Sequence, residues 1–332
     1  MLNSSLMSRE ASESPDALLL QLTKNRKKCH TLAMRLRTRP PVMIFMIGRG
    51  TSDHAGIYAK YLFEVGLGIP VCSAAPSVAG VFEQKLTLEN CLAITISQSG
   101  RSPDVVKQTE YAKQGGAMTI AIVNDVQSPV AVMADDVLPM HVGQESAVAA
   151  TKSYLASLSA LCHLLVEWTK DAILYKKLNA LPSKMREAQC KSAQLKASDL
   201  IATNQCVVLG RGFGYAIARE VALKLKEILG ILAESYSSAE FLHGPVTLAY
   251  SGLLVLNIDI PDETQGAHRA QIEDIKSRGA KVIDISIDTS LHPRLDALLI
   301  MQRFYLDIEA IAVAFGMDPD APVGLKKVTQ TL

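Results

Sequence analysis

The 332-residue chain has almost no net charge: 34 lysines and arginines against 33 aspartates and glutamates leave +1. That balance excludes a broad attraction for nucleic acid or for an anionic membrane surface, but not a local anion site. No apolar run reaches the ~18 residues of a membrane span. The amino terminus carries Glu10, Glu13 and Asp16 and no cleavable apolar stretch, so no secretory signal is read there. The expected compartment is the cytoplasm. The six cysteines (Cys29, Cys72, Cys91, Cys162, Cys190 and Cys206) are widely spaced, with no Cys-x-x-Cys and no Cys/His ligand cluster. That argues against structural zinc and against a disulfide framework, and no metal is expected. Cys29 and His30 are adjacent, but neighbouring helix residues point about 100° apart, which disfavours a catalytic dyad. Two nucleotide signatures are also missing. No Gly-x-x-x-x-Gly-Lys-Ser/Thr loop is present, and the stretch from Gly210 and Gly212 reaches Tyr215 where a dinucleotide fingerprint needs its third glycine. No cofactor is expected.

What remains is an ordinary globular composition, 48% apolar and 20% charged, long enough for two domains. The first 38 residues read as helix. Leu18, Leu19, Leu22, Leu32 and Leu36 recur near helical spacing, and Lys24 to Lys28 form a wet basic turn. Pro40-Pro41 ends that segment. Residues 42–47 then read as a buried strand, followed by Gly48-Arg49-Gly50-Thr51-Ser52 and a helix to about Glu64. Strand 92–96, the turn Ser97-Gln98-Ser99-Gly100, a helix to about Gln114 and strand 118–123 repeat the pattern. Short continuous apolar strands alternating with helices indicate a parallel sheet covered on both faces.

A second half repeats the first. Gly48-Arg49-Gly50 recurs as Gly210-Arg211-Gly212, and Gly116-Ala117 before a strand recurs as Gly279-Ala280. Matching glycine turns around similar βα units indicate a tandem duplication. The expected fold is α/β, with two doubly wound parallel sheets of the flavodoxin-like three-layer kind. The expected division is a helical segment at 1–38, a first domain at 39–180, a second at 181–316 and a tail at 317–332.

In a doubly wound sheet, ligands bind beyond the carboxyl ends of the strands, where helix amino ends favour anions. Ser97, Gln98 and Ser99 lie at such an edge and bring hydroxyls and an amide with no carboxylate. Ser102 adds a hydroxyl, although a helix cap is the simpler reading for it alone. Thr51 and Ser52 lie at the equivalent edge of the first strand. Asp104 is dissonant, and is expected to point away.

On the helix read at 215–229, Glu220, Lys224 and Glu227 fall within a ~60° arc beside the apolar stripe Ile217, Val221, Leu225 and Ile228. They form either a surface ion-pair ladder or a carboxylate held by a lysine near apolar packing, which suits proton shuttling. His243 stands just before Gly244-Pro245, in a turn. Lys326 and Lys327 read simply as solvent-facing tail lysines.

Taken together, the Gly50-Thr51-Ser52 turn, the 97–100 loop, residues 145–152, residues 222–227, residues 240–245 and Leu325-Lys326-Lys327 resemble the sugar isomerase (SIS) family. The similarity is to its tandem form, the isomerase half of glucosamine-6-phosphate synthase. The resemblance implies that Ser52, Ser97, Gln98, Ser99 and Ser102, with Thr51, hold a 6-phosphate, and that Gly50 belongs to the sugar pocket. It implies that Glu227 is the base moving a proton between C1 and C2, with Lys224 close by. His243 becomes the ring-opening histidine, donated to the neighbouring subunit of a homodimer, and Lys327 the tail lysine that closes over the open-chain sugar. Val148, Ala150 and Glu220 line the sugar pocket. The pattern departs from the synthase at Ala150, where a serine is usual, and at Leu242 and Val323, where basic residues are usual. No ammonia-supplying domain is read in the leading 38 residues. The expected activity is therefore conversion of glucosamine 6-phosphate and water to fructose 6-phosphate and ammonia. A deglycase or deaminase of fructosamine 6-phosphate or galactosamine 6-phosphate, and a non-catalytic sugar-phosphate sensor, are the alternatives. The expected partners are the amino sugar phosphate and a second copy of the chain, with no nucleic acid and no membrane.

Overall fold

A computed structural model describes residues 4–327. The outermost residues of the expected leading helix and of the expected tail lie outside them. The chain forms two compact units. The first comprises Ser14–Glu145 and Lys152–Pro182, with the tail from Lys326. The second comprises Ser146–Thr151 and Ser183–Leu325, with the chain up to Glu13.

In chain order the first unit draws on α1 (Leu6–Thr38), β1 (Ile44–Ile47), α2 (Thr51–Leu67), β2 (Val71–Ser73), α3 (Pro76–Gly80), β3 (Leu92–Ser97), α4 (Pro103–Gln114), β4 (Met118–Val123), α5 (Pro129–Met133), β5 (Asp136–Pro139), α6 (Lys152–Thr169) and α7 (Ala172–Gln189). The ends of α1 and α7 belong to the second unit. All strand pairs are parallel, in the order β2-β1-β3-β4-β5. β1 and β3 are buried along their whole length, which is why they read as largely apolar runs, β3 interrupted only by Thr95 before its terminal Ser97. Phe45, Ala93, Val105, Ala121 and Val123 pack together on one face of that sheet.

The second unit continues with α8 (Ala197–Leu200), β6 (Gln205–Gly210), α9 (Phe213–Leu229), β7 (Leu232–Ser237), α10 (Ser238–Phe241), a 3-10 turn at Pro245–Ser251, β8 (Leu254–Ile258), α11 (Gln265–Ser277), β9 (Lys281–Ile285) and α12 (Pro293–Ala314). Its sheet is also parallel and runs β7-β6-β8-β9, the same order over four strands among the described residues. The internal repeat extends to backbone angles. α2 and α9 are both 17 residues long and start after glycines of nearly equal conformation, Gly50 at φ 51°, ψ −125° and Gly212 at φ 54°, ψ −126°. Both end on a left-handed glycine, Gly68 and Gly230, which closes the last turn without a Cβ penalty.

Residues 145–151 are not helical, and α6 begins at Lys152. The basic turn behaves as expected, since Lys24, Arg26, Lys27 and Lys28 are exposed. Cys29 is buried and its thiol is pushed up to about 12, first by burial and then by the Glu167 carboxylate. His30, by contrast, is exposed and pairs with Glu167 at 3.0 Å, so the two side chains do not work together. Among the described residues no helix is long and apolar enough to cross a membrane.

Candidate functional site

β3 is a central strand of the first sheet, flanked by β1 and β4, and its carboxyl end opens into the serine loop. The loop is closed on itself: the Gly100 amide donates to Ser97 Oγ at 3.0 Å, and the Arg101 amide donates to Ser99 Oγ at 3.4 Å. The segment after β4 pins it, with the Asn124 amide donating to the Gln98 carbonyl at 3.2 Å and the Val130 amide to the Gly100 carbonyl at 3.3 Å. Gly100 is left-handed at φ 61°, and a Cβ there would lie 2.2 Å from Ser128 Oγ, so only glycine fits. Ser97 is buried, whereas Gln98, Ser99 and Ser102 remain half-buried and reachable. Ser102 occupies the N-cap position of α4, but its hydroxyl makes no capping hydrogen bond, so the simple cap reading does not describe it.

Thr51 and Ser52 open α2 at the end of the neighbouring strand β1, half-buried. The topology thus brings six candidate phosphate ligands to adjacent strand ends of one sheet, with Gly50 exposed beside them. Asp104 does not point away from this edge. It lies in the first turn of α4, is 2% exposed, and meets the Arg49 guanidinium at 2.6 Å (Nε to Oδ2). Arg49 neutralises this buried carboxylate beside the serine loop. That pairing joins residues 55 positions apart, and the Arg in Gly48-Arg49-Gly50 was its only sequence signal.

In the second unit, α9 carries the charged constellation. Its three charges are not a surface ladder. The side chains of Glu220 and Lys224 are 0% and 1% exposed, and the Lys224 ammonium lies 3.2 Å from Glu220 Oε1 and 2.7 Å from Glu227 Oε2. Tyr305, from α12, donates its hydroxyl to Glu220 Oε1 at 3.2 Å. Burial pulls the Lys224 ammonium down, but the Glu220 and Glu227 carboxylates outweigh it and hold it above the ordinary lysine value. Glu227 is the member that solvent reaches, 23% exposed. Its Oε2 is held by Lys224, leaving the other oxygen without a hydrogen-bond partner among the described residues. A carboxylate fixed through one oxygen and presented through the other can take and return a proton.

His243 sits in the turn after α10, exposed, its backbone amide donating to the Glu240 carbonyl at 2.9 Å. Among the described residues its ring has no hydrogen-bond partner, and no hydrogen bond joins it to Glu220, Lys224 or Glu227. Lys327 is not simply solvent-facing. Its ammonium lies 3.2 Å from Oε2 of Glu145, a fully buried carboxylate that also accepts from the Ser153 amide at 3.0 Å and the Ser153 hydroxyl at 2.6 Å. Val148 and Ala150 are half-buried in the non-helical stretch before α6, with the Val148 amide donating to the Asp320 carbonyl at 2.9 Å. Among the described residues, no group of three or more His, Cys, Asp or Glu is placed to hold a metal ion.

The chain matches the SIS domain family over residues 41–167 and 199–296. It is 31% identical to the isomerizing glutamine–fructose-6-phosphate aminotransferase of Clostridium acetobutylicum, over 86% of this chain and 51% of that protein. The enzyme of the same name from Thermococcus kodakarensis is 31% identical over 97% of this chain and 57% of that protein. The chain thus spans little more than half the length of these curated relatives. A crystal structure from Silicibacter pomeroyi, assigned as a phosphosugar isomerase, superposes with a TM-score of 0.89 at 35% identity, covering 95% of this chain and all of that one. A glucosamine-6-phosphate deaminase from Thermotoga maritima shares the fold at 21% identity, with a TM-score of 0.77 over 98% of this chain and all of that one. With its paired parallel sheets and a family match that covers more than half of its residues, this chain belongs to the SIS domain family.

Proposed function

We propose that this chain is a SIS-type phosphosugar enzyme that isomerises and deaminates glucosamine 6-phosphate. The observation that carries the reading is the Glu220–Lys224–Glu227 set, which leaves Glu227 as a reachable carboxylate oriented by a buried ammonium. The relatives named as isomerizing fructose-6-phosphate aminotransferases support a sugar 6-phosphate as the substrate class. In this reading Ser52, Ser97, Gln98, Ser99 and Ser102, with Thr51, hold the phosphate. Gly50, Val148 and Ala150 border the sugar; Glu220, expected there as well, is fully buried and acts only through Lys224.

His243 assists opening of the sugar ring. Glu227 then removes the proton from C2 of the open aldose and returns it at C1, turning the 2-amino aldehyde into a ketose imine. Water adds at C2 and ammonia leaves, giving fructose 6-phosphate. Charge developing on O1 is stabilised by Lys327. Water is the only co-reactant. The exposed ring of His243 fits a residue that serves the partner subunit of a homodimer.

The test is ammonia release from glucosamine 6-phosphate, followed together with fructose 6-phosphate in a coupled assay. Equal yields of both are expected from the wild type, and none from Glu227→Gln, which should still bind the sugar phosphate. A Glu227→Gln variant with most of its activity would refute the assigned base. Ammonia from galactosamine 6-phosphate or fructosamine 6-phosphate alone would move the substrate, and tight binding without turnover would make the protein a sensor.

A further inference from the structure

The two halves of the chain share a glycine turn of almost identical backbone, yet the space beside it is used differently. A Cβ built on Gly50 would meet no atom within 4 Å. A Cβ built on Gly212 would lie 2.5 Å from Asp262 Oδ2 and 3.0 Å from Thr264 Oγ1. Asp262 comes from the loop after β8, the strand that takes in the second sheet the place of β3 in the first. Where the first loop offers serine hydroxyls, the second offers this carboxylate. Asp262 is 9% exposed, and its Oδ2 accepts from the amide of Phe213, the first residue of α9, at 3.1 Å. Oδ1 accepts from the Thr264 amide at 2.8 Å and from its hydroxyl at 2.5 Å. The neighbouring acids do not compete for this position. Asp259 is held by Arg269 at 2.7 Å and accepts from Gln265, while Glu263 is paired with Arg294 at 2.6 Å.

The amino end of a helix carries unpaired amides and a partial positive charge, which an anion satisfies. We propose that Asp262 is a built-in anion: at the amino end of α9 its carboxylate does the work that a bound phosphate would do at the serine loop. Two consequences follow from that role. The second unit holds no sugar phosphate of its own, so each chain carries one phosphate loop. α9 is also seated without a ligand, which keeps Glu220, Lys224 and Glu227 in place whether or not substrate is present. Asp262 is thus a positioning residue. The second consequence rests on the reading of α9 as the acid–base helix; the first does not.

The test is Asp262→Ala, probed with inorganic phosphate. Phosphate stoichiometry is measured by titration calorimetry, and thermal unfolding is followed with and without phosphate. The alanine variant is expected to unfold at a lower temperature than the wild type, to regain part of that loss in phosphate, and to bind one more phosphate per chain. Asp262→Ser keeps a hydroxyl acceptor for the Phe213 amide and is expected to behave likewise; it serves if the alanine variant does not fold. An unchanged stoichiometry with no phosphate-specific recovery overturns the proposal. So does failure of both variants to fold in phosphate, because an external anion would then not replace the carboxylate. In turnover assays the variants should lose kcat, with KM for the sugar phosphate staying within about twofold. Phosphate titration needs no turnover. An inactive wild type whose variants still gain a phosphate therefore refutes the proposed activity and leaves the built-in anion standing.

Discussion

Replacing Lys224 by methionine is the sharpest test of the charged helix. The lysine side chain is 1% exposed and its ammonium faces two carboxylates, at 3.2 Å and 2.7 Å. Methionine refills most of the volume, so the cavity contribution is small. The cost is electrostatic and falls unequally on the two acids. Glu227, at 23% exposure, keeps water as an alternative partner, and a pair of that kind contributes about 0–1 kcal/mol. Glu220 has no such exit, because its side chain is fully buried. Removing one member of a buried pair costs about 3–5 kcal/mol, since the other charge is left in a medium that solvates it poorly. For a cooperative unit of 150–250 residues, 1 kcal/mol moves Tm by roughly 2–4 °C, so Lys224→Met should lower Tm by about 6–20 °C. Differential scanning calorimetry of the wild type, Lys224→Met and the double variant Glu220→Gln/Lys224→Met measures this. The double variant should recover much of the loss, because it leaves no buried charge uncompensated. A single variant within 1 kcal/mol of the wild type, or a double variant less stable than the single, would refute the reasoning.

Alkaline pH should destabilise the protein in two steps. The folded thiols of Cys29, Cys162 and Cys206 are pushed by burial from 9.0 up to about 12, so the stability they give is complete below pH 9.0 and is lost as pH rises toward 12. Lys224 is held above 10.5, so its share is complete below pH 10.5 and is lost at higher pH, and the stability gap between wild type and Lys224→Met should narrow there. Urea unfolding across pH 8–12 checks both signs. The exposed Cys72 and Cys190 should react rapidly with a thiol reagent in the native protein, and Cys29, Cys162 and Cys206 only on unfolding; peptide mapping after brief alkylation reads this directly. Gly100→Ala, which sets a Cβ 2.2 Å from Ser128 Oγ at φ 61°, should lower kcat/KM by as much as about 10²-fold. Gly50→Ala, with open space around its Cβ, should cost only the backbone strain of φ 51°, about 1–3 kcal/mol in a chemical denaturation curve. If His243 serves the partner subunit of a dimer, co-expressed His243→Ala and Glu227→Gln chains should regain about a quarter of wild-type activity, whereas each alone has none.

Local patterns in the sequence were enough for much of this molecule. Largely apolar runs such as residues 44–47 and 92–96 are strands buried on both faces, because burial on both sides removes most of the polar alternation. The paired Gly-Arg-Gly turns announced the duplication, since a helix start at positive φ and strongly negative ψ tolerates little besides glycine. Glu220, Lys224 and Glu227 share a helix face by arithmetic alone. Ser97 to Ser102 form a loop at a strand's carboxyl end, which the alternation of strands and helices already located. These features depend on residues a few positions apart, and backbone geometry fixes such relations before any packing occurs.

Tertiary structure decided what those residues touch. The spacing left α9 open between a solvated ladder and a buried set, and Tyr305, 85 positions away, helps make it buried. Asp104 could have faced water, but packing turned it inward onto Arg49. Lys327 looks like an ordinary tail lysine until the fold brings it to Glu145 across 182 positions. Asp262 reaches the Phe213 amide from 49 positions away, a pairing no local pattern announces. In each case the outcome depends on which charge is desolvated and which partner the packed chain supplies. Neither quantity exists until distant segments come together.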